Sequence, residues 1–206
     1  MHEKNYMKDI IREQLNESAR AKQKASETMV DDIERTVLLI VSCFREGKKV
    51  LVCGNGGSAA DAQHFAAEFV NRFRKERDPL PVMAITTDSS VMTSIGNDSS
   101  YDNVFRKPVQ AFGREGDLLL VITTSDVDEK AHGHSQNIAL ALQAARQQKM
   151  KTIGLVSKKS KKILEMLDCA LIVPNDDTPR IQEVHETVLH IVSDLVEQEY
   201  FKTGTA

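Results

Sequence analysis

From the N-terminus to about Lys48, apolar positions return near every third or fourth residue: Ile10, Ile11 and Leu15, then Ile33, Val37, Leu38, Ile40, Val41 and Phe44, with Gly47 closing the series. That period predicts two amphipathic helices ahead of any strand. Beyond Lys48 the texture changes. Short apolar runs at Val50–Cys53, Val82–Thr86, Leu118–Thr123, Thr152–Val156 and Ala170–Val173 alternate with helical stretches, as strands of a parallel sheet covered on both faces would. The expected architecture is an α/β fold, a three-layer α/β/α sandwich with a parallel five-stranded sheet. No repeat, low-complexity tract or Pro/Gly-rich linker divides it, so residues 1–206 read as one domain: helices over 1–48 and an α/β core over 49–206. The two leading helices must bury their apolar faces somewhere, which predicts an arm that packs against another subunit in a homo-oligomer.

Composition narrows the function classes. With 41% hydrophobic residues, 206 positions suffice for a sizeable core. A net charge of -3 and a pI near 6.1 argue against a broad nucleic-acid surface. Cys43, Cys53 and Cys169 are odd in number, far apart and set in apolar text, so neither a disulfide framework nor a paired-cysteine zinc site is expected. Residues 1–24 are charged throughout, and no run of about 18 apolar residues occurs. A cytoplasmic protein without a membrane segment is the expectation.

The chemistry gathers at the end of the first predicted strand. Gly54, Asn55, Gly56, Gly57 and Ser58 fall at a strand-to-helix turn, where glycines let a ligand approach the backbone. Free N–H groups at the start of the following helix favour phosphate. His64 and Glu68 stand four apart on that helix and share a face. By spacing alone they serve equally as a surface pair or as ligands to a cation. Asp61, near the helix start, suits the dipole there. His185 reads as a packing residue, and Lys158, Lys159, Lys161 and Lys162 as a solvated helix start.

With these motifs come Thr87-Asp88, Ile95-Gly96-Asn97-Asp98, Thr123-Thr124-Ser125 and Asp177-Thr178-Pro179-Arg180-Ile181-Gln182-Glu183. In that order and near that spacing, they resemble the bacterial phosphoheptose isomerases of the sugar-isomerase (SIS) superfamily, almost end to end. The resemblance implies a flavodoxin-like SIS fold, a cytoplasmic homotetramer and one zinc ion per subunit. It implies conversion of sedoheptulose 7-phosphate to the D-glycero-D-manno-heptose 7-phosphate aldose, an early step towards lipopolysaccharide heptose. Substrate contacts would fall on Asn55, Gly56, Gly57, Ser58, Glu68, Asn97, Asp98, Thr123, Thr124, Ser125 and Gln182. The metal positions would be His64, Glu68, Gln182 and His190, with Glu68 and His190 also the acid/base pair. The residue types suit that chemistry, since an enediol route needs a base for a carbon-bound proton and a group to stabilise an oxyanion. Gln182 and His190, however, are eight apart, about 12 Å of rise and about 80° of rotation on a continuous helix. Either the cleft lies at a subunit interface, or only part of the metal set binds at once.

One segment departs from the family pattern. A Gly-x-Ser normally follows Thr123-Thr124-Ser125 directly, whereas here Asp126 to His132 intervene before Gly133-His134-Ser135. Ser135 then takes the substrate contact. The inserted carboxylates should weaken an adjacent anion site unless they point to solvent or meet a cation. A rim loop, a lid and a second metal site through His132 and His134 all fit the text. Two rival functions fit the fold: a non-enzymatic DnaA-associating replication factor, or an isomerase of another phosphosugar. Retention of His64, Glu68, Gln182 and His190 favours the enzyme, because an interaction protein has no need of that set.

Overall fold

A computed structural model describes residues 2–127 and 135–202. Two helices, α1 (His2–Thr28) and α2 (Val30–Arg45), lead into β1 (Val50–Gly54), α3 (Gly57–Val70), β2 (Val82–Ala84) and α4 (Ser89–Asp98). There follow α5 (Arg106–Phe112), β3 (Leu118–Ile122), α6 (Gln136–Gln147), β4 (Lys151–Ser157), β5 (Cys169–Val173) and α7 (Thr178–Tyr200). Short 3-10 helices at Tyr101–Asn103 and Ile163–Met166 complete the path. The strands form one parallel sheet in the order β2-β1-β3-β4-β5. The chain therefore starts in the middle, winds to one edge and returns across β1 to the other. Its switch point lies between β1 and β3, where open α/β sheets bind ligands at their carboxyl ends.

The strand pleat explains the layers. Side chains alternate between faces with a period of two. Val50, Val52, Leu118, Leu120 and Leu155 join one core with α1, α2, α3 and α7, while Leu51, Cys53, Leu119, Val121 and Val156 join a second core with α5 and α6. Every position of β1 and β3 is buried. Full burial on both faces is why these strands read as continuous apolar runs. Segregation of the helices has a consequence for chemistry. Because α3 and α7 share one face and pack side by side, residues near positions 64 and 190 can meet.

Two expectations need correction. The run expected as a strand over Val82–Thr86 pairs only through Ala84, since Ile85 makes a last bond to the Val52 carbonyl and the chain then turns, with the Thr87 hydroxyl donating to the Ala84 carbonyl. An edge strand has only one neighbour to continue it. The lysine cluster at 158–162 opens no α-helix but a turn and a four-residue 3-10 helix. Asp126 decides that local shape: its carboxylate accepts the N–H groups of Lys162 (3.1 Å) and Ile163 (3.2 Å) as well as that of Val127 (2.9 Å). The first acid after Ser125 is thus a structural cap. Burial works to raise its pKa, but these donors and that of Lys161 outweigh it and hold the carboxyl below the usual range. Asp128, Glu129, His132, Gly133 and His134 lie outside the described residues.

Candidate active site

At the carboxyl end of β1 the chain turns through Gly56 at φ +55°, a left-handed conformation that glycine adopts without a Cβ penalty. Helix α3 then begins at Gly57. A Cβ on Gly57 would overlap the side-chain amide of Gln182, so the bare position lets that amide sit directly against the turn. Asn55 is clasped from the other side. Its amide and that of Asn137, in the first turn of α6, exchange two hydrogen bonds of 2.9 Å each. Nothing in the sequence spacing marked Asn137, because its partner lies 82 positions away and the two meet only across the sheet.

A cavity of about 210 Å³ opens at this turn, lined by Asn55, Ser58, Ile122, Thr123, Thr124, Ser125, Ser135 and Gln182. The hydroxyl-rich wall is shaped by Thr123, whose Oγ1 accepts the Ser125 N–H (3.2 Å) and donates to the Ser125 carbonyl (3.0 Å). Ser135 sits in the left-handed region at φ 55°, ψ 25° and starts α6. It stands in the wall with Thr124 and Ser125. The helix starts at α3 and α6 and the hydroxyls of Ser58, Thr124 and Ser125 make a small polar cup suited to an anion.

A second recess of about 540 Å³ adjoins it, lined in part by Asp61, His64, Gln182, Glu186 and His190. Gln182 borders both spaces. Within the recess, His64 Nε2 lies 2.8 Å from Glu68 Oε1 and 3.5 Å from His190 Nε2, while its Nδ1 lies 2.5 Å from Glu186 Oε1. A carboxylate accepting from Nδ1–H leaves the Nε2 lone pair facing Glu68 and His190. Ligand atoms of His64, Glu68 and His190 all lie within 4.8 Å of one another, and Glu186 Oε1 also lies 3.4 Å from His190 Nε2. Such a set calls for a shared proton or a cation, and its N/O chemistry suits zinc. Asp61 adds to the negative balance. Burial first, then the Glu186 charge, raises its carboxyl to about 6, and its buried Oδ2 has no hydrogen-bond partner.

The eight-residue spacing of Gln182 and His190 does not keep them from one recess. Helix α7 runs uninterrupted along α3, and both side chains reach the space from a single chain. Asn97 and Asp98 lie elsewhere. They end α4 with exposed side chains, Asn97 Nδ2 donating to Asp98 Oδ1 at 2.7 Å, and neither lines the two cavities. Glu186 is the residue the sequence reading passed over. Its position four before His190 was the available signal. His185, by contrast, is fully buried and lines neither cavity, and burial lowers its ring to about 4.

A sequence model of the SIS domain matches residues 14–157. The phosphoheptose isomerase of Clostridium acetobutylicum is 47% identical over 197 residues, spanning 95% of this chain and 97% of the relative. The chain belongs to the phosphoheptose isomerase family. A second relative in this family, from Geobacter sp. strain M21, is 48% identical over 84% of this chain and 86% of its own. Among solved phosphoheptose isomerases, that of Francisella tularensis superposes with a TM-score of 0.86 at 38% identity, covering 92% of this chain and 97% of that one. The enzyme of Neisseria gonorrhoeae superposes with a TM-score of 0.84 at 39% identity over 93% and 99%. The fold and the SIS resemblance expected from the motifs are therefore those found.

Proposed function

We propose that this phosphoheptose isomerase family member interconverts sedoheptulose 7-phosphate and D-glycero-D-manno-heptose 7-phosphate in the paired cavities, supplying lipopolysaccharide heptose synthesis. The observation that carries the reading is the shared wall at Gln182: a phosphate seated in the hydroxyl cup leaves the sugar extending into the recess lined by His64 and His190, with Glu68 bonded to His64 at its edge. Phosphate binding then holds the carbonyl end in place for proton transfer. Glu68 takes the proton from C1 of the ketose and returns it to C2, and His190 moves the hydroxyl proton between O1 and O2. Asn55, Gly56, Gly57, Ser58, Thr123, Thr124, Ser125 and Ser135 hold the phosphate end. Asn97 and Asp98 remain assigned as substrate contacts by family resemblance.

His64, Glu68 and His190, with Gln182 completing the set, would hold one zinc ion. When bound there, zinc supplies Lewis-acid polarisation of the substrate carbonyl. Glu186 fixes the tautomer of His64 from outside the ligand set, as carboxylates do for metal-binding imidazoles. A homotetramer is the proposed assembly. An aliphatic groove of about 660 Å³ between α1, α2 and α7, and the exposed Tyr6, Met7, Ile10, Ile11 and Leu15 along α1, support burial against other copies. No helix among the described residues is long and apolar enough to cross a membrane, and a cytoplasmic location is proposed.

The test is turnover of sedoheptulose 7-phosphate by wild-type protein and Glu68→Gln, each with and without added zinc. Removing the base should lower kcat by about 10²–10⁴-fold. No turnover by zinc-replete wild type refutes the reading.

A further inference from the structure

The loop that follows α3 is wound around a single buried carboxylate. Glu197, 1% exposed on α7, accepts the backbone N–H groups of Phe73 (3.1 Å), Arg74 (2.9 Å) and Lys75 (2.8 Å) and the Nε–H of Arg77 (2.9 Å). Arg77 in turn gives its remaining nitrogens to the end of α3. Its Nη2 donates to the Glu68 carbonyl and its Nη1 to the Phe69 carbonyl, both at 2.7 Å. A buried pair of this kind is costly unless every donor and acceptor is used, and here nearly all are.

The geometry forms a strut. One end grips the backbone of Glu68 itself, and the other is rooted in α7 seven residues after His190, about 10 Å along the helix. The loop it secures presents Phe73 to His190, with ring centroids 5.8 Å apart and planes inclined by 34°. Arg74 lies over that aromatic ring. Its guanidinium carbon lies 5.4 Å from the Phe73 centroid, and its Nε lies 3.3 Å from Asp194, one turn beyond His190 on α7. None of these residues lines either cavity.

We propose that Arg77, Glu197 and Phe73 are positioning residues: the ion pair sets the separation of Glu68 from His190, and Phe73 fixes the His190 ring against Glu68 and His64. This rests on the reading of Glu68 and His190 as the acid/base pair. Misplacing a reacting group by about 1 Å costs as much as a hundredfold in rate, so a device that acts on position should be read in kcat.

The experiment compares wild type, Phe73→Ala, Phe73→Tyr and Glu197→Gln, each saturated with zinc. kcat and KM are measured for sedoheptulose 7-phosphate, alongside amide hydrogen exchange over residues 71–78. Phe73→Ala should lower kcat about tenfold with KM within about twofold, and Phe73→Tyr should restore most of it, because the ring and not its burial is what His190 needs. Glu197→Gln should speed exchange at residues 73–75 and lower kcat by more than Phe73→Ala. Should that variant not fold, the Phe73 pair decides. Wild-type kcat in Phe73→Ala, or a change confined to KM, overturns the inference while leaving the function intact. A wild-type enzyme that does not turn over overturns the acid/base reading and this inference with it.

Discussion

Lowering the pH from 7 to 5 should cost the native state about 2 kcal/mol through His185 alone. The ring is 0% exposed on the face of α7 that packs against the sheet, and neither nitrogen has a hydrogen-bond partner of normal geometry. Burial pushes its pKa from 6.5 to about 4, opposed only weakly by the nearby Val156 backbone. Because the folded value is depressed, the unfolded ring takes up a proton below about 6.5 while the folded one stays neutral, and stability falls as acid is added. The gap between the two values, at about 1.4 kcal/mol per pH unit, bounds the loss at roughly 3 kcal/mol below pH 4, of which about two thirds is reached by pH 5. Asp61 works in the opposite sense, since its raised carboxyl gains a proton in the folded state first. Comparison with His185→Leu removes that complication. Leucine fills similar space, cannot titrate and leaves Asp61 untouched. Urea unfolding at fixed protein concentration should give the two proteins different pH slopes, the variant losing about 2 kcal/mol less between pH 7 and 5. Equal slopes would show that His185 is not held neutral by burial.

Two further outcomes follow from the same packing. Gly54→Ala places a methyl group 2.7 Å from the Ser58 carbonyl oxygen and 2.8 Å from that of Ile122, both backbone atoms, so it should destabilise by about 1–3 kcal/mol in urea unfolding; a loss under 0.5 kcal/mol would contradict the close approach of β1 to α3. Asp126→Ala removes the cap of the 3-10 helix Ile163–Met166 and should cost about 1 kcal/mol at pH 7. That difference should vanish in strong acid, because a depressed carboxyl stabilises only above its folded pKa.

The parallel sheet was legible because its strands are buried on both faces, which leaves uninterrupted apolar runs in the text. The edge strand β2 was less so, since a strand with one neighbour stops where the pairing does and not where the apolar run does. In the site, the glycine turn and the His64/Glu68 pair are local: their residues lie within 15 positions and a single strand–helix connection brings them together. The capping role of Asp126 was not legible because its donors, Lys162 and Ile163, are more than 30 positions away. Asn137 and Phe73 have their partners at similar distances, whereas Glu186 carried a local signal in standing four before His190.

Local physics along the chain, then, determined the class of fold, the glycine-rich turn after β1 and the face of α3 that carries His64 and Glu68. Periodicity and backbone freedom are encoded within a few residues and need no partner to be read. The tertiary structure alone decided that α3 and α7 lie on one side of the sheet, which brings His190 and Glu186 to His64, and sets Gln182 between the two cavities. It also decided that Glu197 belongs to the loop after Glu68. These are meetings between residues more than 100 positions apart, set by the winding of the sheet and the burial of two cores, and no spacing in the sequence announces them.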